Sequence, residues 1–399
     1  MRVMVEDGRL VAFLEGTINS SNAGEIREEL DAAVAEHPGL ELAFDARDLC
    51  HISSAGLRVL LYFAKRQENR LSVWNVTSQV YDILEMTGFT ELMHVTKKLR
   101  ELDVEGCDVV GTGAIGTVYR LDEDTIVKVY EIPDSLRMIE NEQKRAKQAF
   151  LKGIPTAISY DVVKVGDKFG SVFEMLKAKT FNDLLVEHPE QRESIVRRYA
   201  CLIRQIHGVE MERGELPEAR DTFLGYLESV KPFMEDALYE RLRGLFGAMP
   251  ENLHVVHGDI QMKNVMLSGD EPMLIDMDTL SVGDPVFDLM GIYVTYRLFM
   301  LDEPGNAQRF LGISDGMCDY IWENTLACYF EGCDATAIRA AEDRIRLVAC
   351  VRFLQLICVL GIGLPELRQP RIDRALADLR ELSRRVDSLE TAPLLEKHG

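Results

Sequence analysis

The sequence predicts two modules in tandem, an α/β (α+β) arrangement of a small sheet-and-helix domain and a larger two-lobed domain. Strand-like and helix-like segments alternate over residues 1–98, as in a layered α/β fold. A glycine-rich hairpin opens the second module, and a largely helical region with a few short strands completes it. We therefore place the first domain at 1–98, a charged junction at 99–108, a sheet-containing lobe at 109–176 and a helical lobe at 177–399.

Composition excludes several classes of protein. The net charge of −21 over 399 residues disfavours nucleic-acid binding, because the chain would be repelled by a phosphate backbone. No run of eighteen apolar residues occurs, so we expect no membrane span. The acidic N-terminus does not resemble a secretion signal, and eight scattered cysteines without a CxxC pair are typical of reduced thiols in a cytoplasmic protein. The acidity favours a cationic substrate or serves only solubility.

The first module is predicted from its alternating segments. Two predicted strands surround a turn at Asp7-Gly8, and a predicted helix follows with apolar positions at Ile26, Leu30 and Val34. Ser78 is the expected cap of the last helix. The predicted strands are Val3–Val5, Leu10–Leu14, Leu40–Phe44 and Leu71–Val76.

A short motif follows the third of these strands. Asp45-Ala-Arg-Asp-Leu49 leads to Ile52-Ser-Ser-Ala-Gly-Leu57, which enters a helix. On this motif, residues 1–98 resemble the STAS family, whose bacterial members include anti-sigma-factor antagonists. The resemblance implies that Ser54 is phosphorylated by a partner kinase, and that an anti-sigma factor or another signalling protein binds here. Many members carry Asp where Ser53 stands in this chain.

The chemistry of this position suits a switch. A phosphate at a helix N-terminus is stabilised by free backbone N–H groups. It would add about −1.5 to −2 charges to any partner contact over Ser54. The alternative is that Ser53 and Ser54 only cap the helix.

The second module opens with a glycine-rich segment, Val109–Arg120, that carries Gly111, Gly113 and Gly116. A dinucleotide-binding loop would require a helix directly after the last glycine. Here strand-like residues follow and a second strand returns, which predicts the kinase type of hairpin that covers nucleotide phosphates.

Lys128 lies on the returning strand between two valines. A lysine buried at mid-strand needs an anionic partner. We expect the α/β-phosphates of ATP and the carboxylate of Glu142 to supply it, with Glu140 as the alternative carboxylate. A surface lysine on an edge strand is the plainer interpretation. The main chain of Glu174 to Leu176, where the sheet ends, is expected to hydrogen-bond the adenine.

A polar loop between short apolar strands carries the expected chemistry. The loop reads His257-Gly-Asp259-Ile-Gln-Met-Lys-Asn264, and Asp276 follows twelve residues after Asn264. This spacing suits phosphoryl transfer, in which one Asp accepts the hydroxyl proton while an Asn and a second Asp hold the metal ions that bridge the phosphates. The plainer interpretation is an ordinary turn, since Asp, Asn and Gly favour turns.

Residues 105–300 resemble the aminoglycoside phosphotransferase and choline kinase-like family. The shared marks are the loop around Asp259, the segment Ile275-Asp-Met-Asp278 and the segment Gly283-Asp-Pro-Val-Phe-Asp288-Leu. The resemblance implies that Asp259 is the catalytic base, that Asn264 and Asp276 bind Mg²⁺ and that Asp278 assists the metal site. It also implies that Asp288 anchors the catalytic loop by hydrogen bonds.

Two departures from protein kinases favour a small hydroxyl-bearing acceptor. Gln261 stands two residues after Asp259, where protein kinases carry lysine, and Lys263 stands four after it. The segment Gly283–Asp288 follows Asp276 closely, which leaves little room for an activation loop. A small-molecule kinase with a STAS domain is thus the leading hypothesis. One alternative is partner-switching signalling in which the kinase lobe phosphorylates Ser54, and another is that this lobe only senses nucleotide. The sequence does not name the acceptor.

Overall fold

The computed structural model describes residues 1–391 except Asp7, residues 68–70, Ala114, Asp134 and Lys177. Asp7, a residue of the first predicted turn, therefore lies outside the described residues. The chain divides into two compact units. The first contains Met1–Asp103 and Val163–Asp167, and the second contains Val104–Val162 and Lys168–Gly399.

The first unit is a five-stranded sheet with helices, which confirms the predicted α/β fold. The strand order is β1-β2-β3-β4-β5, with β1 antiparallel to β2 and the other neighbours parallel. Phe44 and Phe63 pack edge to face in its core. Its elements are β1 (Arg2–Glu6), β2 (Arg9–Ile18), α1 (Ala23–Glu36), β3 (Glu41–Ile52), α2 (Ser54–Arg66), β4 (Ser72–Val76), α3 (Ser78–Met86), α4 (Phe89–Leu92), β5 (His94–Lys97) and β6 (Arg100–Glu101).

Three boundaries in this unit differ clearly from the predictions. Strand β2 continues to Ile18 instead of ending at Leu14. Strand β3 continues to Ile52 instead of ending at Phe44, because its parallel pairing with β2 continues through two register shifts. The N-cap of α3 is Thr77 rather than Ser78, which is the first helical residue. Thr77 donates its hydroxyl to the carbonyl of Leu49 and thereby ties the helix start to β3.

The second unit begins with a sheet-containing lobe. Strands β11, β9, β8 and β7 are neighbours in that order and form an antiparallel set. The glycine-rich segment forms the β7–β8 hairpin. The elements are β7 (Val109–Thr112), β8 (Gly116–Arg120), β9 (Thr125–Tyr130), α5 (Leu136–Leu151) and β11 (Lys168–Glu174). The last three residues of β10 (Asp161–Val165) belong to the first unit.

A helical lobe with two small sheets follows, β12-β14-β15 and β13-β16. A π-helical turn, Val294–Leu298, continues α10. The elements are β12 (Lys179–Thr180), α6 (Phe181–Glu187), α7 (Arg192–His207), α8 (Ala219–Val230), α9 (Asp236–Gly247), β13 (Val255–Val256), β14 (Val265–Ser268), β15 (Glu271–Leu274), β16 (Ser281–Val282), α10 (Val286–Tyr293), α11 (Asn306–Leu311), α12 (Asp315–Tyr329), α13 (Ala335–Cys358) and α14 (Arg368–Leu382).

One apolar core contains residues of these helices and of the small sheets, so the loops that follow the short strands are attached to a packed core. Within the part of the chain that the structure describes, no helix combines the length and the apolar character needed to cross a bilayer.

Candidate active site

Two loops of the helical lobe meet beside the β14–β15 hairpin. We call residues 257–264 the catalytic loop and residues 275–279 the acidic turn. The backbone N–H of Ile275 donates to the carbonyl of Asn264 at 3.0 Å, and the hydroxyl of Thr279 donates to the carbonyl of His257 at 2.7 Å. The antiparallel pairing of β14 with β15 therefore brings Asn264 next to the start of the acidic turn.

Lys128 connects the two lobes of the second unit. Its Nζ donates to Oδ1 of Asp276 at 2.5 Å and lies 3.7 Å from Oε1 of Glu142. Val127 and Val129 on either side of it are buried on the opposite face of β9. Glu142, the carboxylate we expected in preference to Glu140, thus lies beside Lys128.

Lys128 and the carboxylates around it shift one another's pKa values. Burial works to lower the pKa of Lys128, but Glu142 and Asp276 outweigh it and the pKa is raised. Burial raises the pKa of Glu142, although Lys128 and a hydrogen bond from Tyr130 oppose that rise. The Tyr130 hydroxyl donates to Oε2 of Glu142 at 2.7 Å. Glu142 is therefore held in place from two sides.

Asp288 anchors the start of the catalytic loop. It is completely buried and accepts hydrogen bonds from the backbone N–H groups of His257 at 2.8 Å and Gly258 at 2.6 Å. Nε2 of His207 lies 2.9 Å from the same carboxylate. Burial works to raise the pKa of Asp288, but His207 and the backbone donors outweigh it, so the pKa is lowered. The imidazole of His257 is buried behind the loop, with Nε2 3.2 Å from the carbonyl of Ile275.

The side chains of Asp259 and Asn264 interact directly. Nδ2 of Asn264 donates to the backbone carbonyl and to Oδ2 of Asp259, both at 2.9 Å. Nε2 of Gln261 donates to the same carboxylate at 3.1 Å. Because the amide nitrogen of Asn264 points at Asp259, its Oδ1 is the atom left for a metal ion.

The acidic turn concentrates negative charge. Asp276 has a left-handed backbone conformation, with φ 66°. This conformation is uncommon for residues other than glycine, and the residues that adopt it are concentrated at functional sites. Burial, together with the charges of Asp276 and Glu142, raises the pKa of Asp278 to about 6. Asp259 contributes in the same direction. A divalent cation would relieve this repulsion, so the residues fit Mg²⁺.

Protein ligands alone do not complete a metal site. Among the described residues, no group of three or more His, Cys, Asp or Glu side chains has the geometry to hold a metal. Mg²⁺ usually binds one or two carboxylates and takes its other ligands from substrate phosphates and water. The arrangement therefore suits a metal that arrives with a nucleotide.

The three glycines of the hairpin have different surroundings. A Cβ on Gly116 would lie 2.4 Å from the carbonyl oxygen of Val129, whereas one on Gly111 or Gly113 would meet nothing closer than 3.7 Å. Only Gly116 is required by the packing of the hairpin itself. Gly111 and Gly113 leave room for a ligand to approach the backbone.

At the end of β11, one linker amide is already used. The N–H of Met175 donates to the carbonyl of Asp124 at 2.7 Å. The N–H of Met175 is therefore not free for the adenine, and the contacts that we expect would come from the remaining main-chain groups of Glu174 to Leu176.

Sequence reasoning missed several residues that hold these groups. They are Tyr130, which contacts Glu142, Arg145, whose guanidinium donates to the carbonyl of Asp278, and His207, which contacts Asp288. A histidine at the end of an amphipathic helix, in line with its apolar face, was the available signal for His207. No local pattern marks the other two, because each reaches a partner on another element of the fold.

A lysine beside a glycine-rich hairpin that meets a carboxylate of its own lobe, Glu142, and one of the helical lobe, Asp276, defines a phosphotransferase with a protein-kinase-like fold. The comparisons with known proteins agree. A family model of the phosphotransferase enzyme family matches residues 107–314, and the chain belongs to this family. The STAS domain model matches residues 1–102, which confirms the resemblance of the N-terminal module.

Two relatives match different parts of the chain. A putative anti-sigma factor antagonist, BtrV of Bordetella bronchiseptica, is 38% identical over 92 residues, which are 22% of this chain and 78% of that protein. Viomycin phosphotransferase of Streptomyces vinaceus is 29% identical over 142 residues, or 31% of this chain. The chain spans only 50% of the length of the viomycin phosphotransferase.

Solved structures with similar folds include two kinases. ADP-bound aminoglycoside phosphotransferase APH(2'')-Ib has 15% identity and a TM-score of 0.48, with 76% of this chain and 98% of that chain covered. A choline/ethanolamine kinase family protein from Mesorhizobium loti has 17% identity and a TM-score of 0.44, with 69% of this chain and 87% of that chain covered. Likeness at this level identifies no substrate.

Proposed function

We propose that this enzyme transfers the γ-phosphoryl group of ATP to a hydroxyl group of a small molecule, in the cytoplasm, and that its STAS domain binds a regulatory protein. The observation that carries the proposal is the contact of Lys128 with both Asp276 and Glu142, next to the interacting pair Asp259 and Asn264. The domain limits that we propose remain 1–98, 99–108, 109–176 and 177–399.

Each group has a proposed role in the transfer. Gly111, Gly113 and Gly116 line the phosphates, Lys128 binds the α/β-phosphates, and Glu142 orients Lys128. The main chain of Glu174 and Leu176 binds the adenine. Asn264 and Asp276 would hold Mg²⁺, with Asp278 in support, and the ion would neutralise charge on the phosphates.

Asp259 is the proposed base. The acceptor oxygen forms a bond to the γ-phosphorus while the bond from that phosphorus to the β-phosphate oxygen breaks, and ADP leaves. The proton of the acceptor hydroxyl passes to the carboxylate of Asp259. Gln261 and Asn264 orient that carboxylate by donating hydrogen bonds to it.

A small acceptor is favoured over a protein substrate by the segment after Asp276. This segment is too short to contain an extended loop, because Ser281 and Val282 already pair with β13 and α10 begins at Val286. The relative named viomycin phosphotransferase supports a small-molecule acceptor, and the net charge of −21 supports a cationic one.

The test is a panel of amino alcohols, sugars and hydroxyl-bearing antibiotics, incubated with ATP and Mg²⁺ and analysed by mass spectrometry for phosphorylated product. We expect Asp259→Asn to reduce turnover by about 10²- to 10⁴-fold, the usual contribution of a general base. Asp270→Asn is the matched control, because Asp270 is exposed and contributes only its backbone carbonyl to a bond with Arg198. Equal turnover of both variants would refute the role of Asp259.

A second candidate function is partner switching through Ser54. Ser54 is exposed and is the first residue of α2, while Ser53 is the N-cap and accepts from the N–H of Ala55 at 3.2 Å. Ser53 thus serves as the cap, which leaves the hydroxyl of Ser54 for modification. The BtrV relative supports an anti-sigma factor or a similar protein as partner.

Intact-mass measurement after incubation with ATP and Mg²⁺ tests whether the kinase lobe modifies Ser54. An added phosphate that Ser54→Ala abolishes, and that Ser53→Ala retains, would support this function. Nucleotide binding without transfer to Ser54 or to any acceptor would favour the sensor alternative.

A further inference from the structure

Two buried tyrosines hold the middle of the catalytic loop. The hydroxyl of Tyr199, from α7, donates to the carbonyl of Ile260. The hydroxyl of Tyr296, from the π-helical turn, accepts from the backbone N–H of Met262 at 3.1 Å. Both side chains are fully buried. These contacts lie between Asp259 and Asn264 along the chain, so they fix the backbone that separates the proposed base from a proposed metal ligand.

The π-helical turn explains how Tyr296 reaches the loop. Asp288 holds the start of the loop, and Tyr296 follows it eight positions later on the continuous helix. In a regular α-helix, a side chain eight positions after another points about 80° away from it around the helix axis. A π turn contains an additional residue, which reduces the rotation per residue and returns Tyr296 towards the face of Asp288.

The hydrogen bonds are costly to lose because the groups are buried. Burial raises the pKa of both phenols, so the hydroxyl groups stay protonated. Met262 is buried, and a buried N–H without a partner costs about 1–3 kcal/mol. The loop would relax to find another partner, and Asp259 and Asn264 would move with it.

We propose that Tyr199 and Tyr296 are positioning residues for phosphoryl transfer. They fix the distance between the carboxylate of Asp259 and the amide of Asn264, because their hydroxyl groups, on two different helices, hydrogen-bond to the backbone of Ile260 and Met262. This inference rests on the proposed function. The hydroxyl groups of both tyrosines hydrogen-bond to the loop backbone and not to Asp259 or Asn264, so we expect them to affect the chemical step and not nucleotide binding.

The test replaces each hydroxyl without removing the ring. Tyr296→Phe and Tyr199→Phe are compared with Tyr239→Phe, whose hydroxyl contacts Glu228 between α8 and α9. We measure kcat and the KM for ATP in Mg²⁺-dependent ATP turnover, with water as acceptor if no other is found. We expect kcat to fall about 10- to 100-fold in the first two variants, the effect of a displacement near 1 Å. The KM for ATP should stay within about 2-fold, and Tyr239→Phe should match the parent.

Amide hydrogen exchange of the nucleotide-free full chain provides a readout that does not depend on activity. Faster exchange confined to residues 257–264 in the two loop variants supports the inference. Unchanged loop exchange, or an increase spread equally over the helical lobe, overturns it. If the parent chain turns over no ATP, the proposed function fails, whereas the exchange data still decide whether the tyrosines position the loop.

Discussion

We predict that Gly116→Ala destabilises the sheet-containing lobe, whereas Gly113→Ala does not. A Cβ on Gly116 would lie 2.4 Å from the carbonyl oxygen of Val129 and 3.2 Å from its carbonyl carbon. Non-bonded atoms are comfortable near 3.5 Å, so strands β8 and β9 would have to separate locally by roughly 1 Å. Both atoms belong to backbone, which cannot rotate away as a side chain does. On Gly113 the nearest atom to the new Cβ is 3.8 Å away.

Overpacking of this kind costs about 1–3 kcal/mol. Each kcal/mol lowers the Tm of a domain of this size by about 2–4 °C. The assay is thermal or urea unfolding of the nucleotide-free variants, followed by fluorescence or circular dichroism. Since Val129 adjoins Lys128 on β9, kcat/KM for ATP should fall as well in Gly116→Ala. If Gly116→Ala and Gly113→Ala unfold at the same temperature, the packing argument is wrong.

Three further predictions concern a buried carboxylate of the second unit, the metal ion and a buried carboxylate of the first unit. Asp288→Asn should lower the free energy of unfolding in urea by about 3–5 kcal/mol, because His207 and the backbone N–H groups of His257 and Gly258 lose their buried carboxylate partner. A loss below about 1 kcal/mol would contradict this. EDTA should abolish turnover without changing the Tm of the nucleotide-free protein, since the metal is expected to arrive with nucleotide, and a lower Tm in EDTA would indicate a resident metal. In the first unit, hydrogen bonds from Arg47 and Asn75 overcome the opposing effect of burial and lower the pKa of Asp45, so this group stabilises the fold above its unfolded pKa of about 3.8. That stability is lost as the pH falls through the lower folded pKa, and Asp45→Asn should flatten the pH dependence of unfolding around and below pH 3.8; an unaltered slope would show that Asp45 is not responsible.

Local sequence patterns were sufficient for the fold classes. The alternation of strands and helices and the motif around Gly56 predicted the first domain. A Cβ on Gly56 would meet side-chain atoms of Ile52 at 2.6 Å and Ile18 at 2.8 Å, so that motif glycine is required by packing of the helix start. Such constraints are local or nearly local, which is why a sequence pattern records them.

Hydrogen-bond partners across long separations were harder to predict. The pattern around Lys128 showed that the lysine needed an anion, and the family resemblance suggested where carboxylates lie. It did not show that Asp276, 148 residues away, would pair with the lysine directly at 2.5 Å. Nor did it show that His207 would contact Asp288, 81 residues further along.

The sequence by itself determined the chemical inventory: a glycine-rich hairpin, one lysine, and Asp and Asn residues at spacings that suit phosphoryl transfer. Tertiary structure decided which glycine the hairpin packing requires, which carboxylate partners Lys128 and which tyrosines hold the catalytic loop. The physical reason is that a buried donor or acceptor must find its partner wherever folding brings one, and this choice depends on the packing of the whole lobe. Residue types and spacings record the need for a partner, and only the folded chain identifies it.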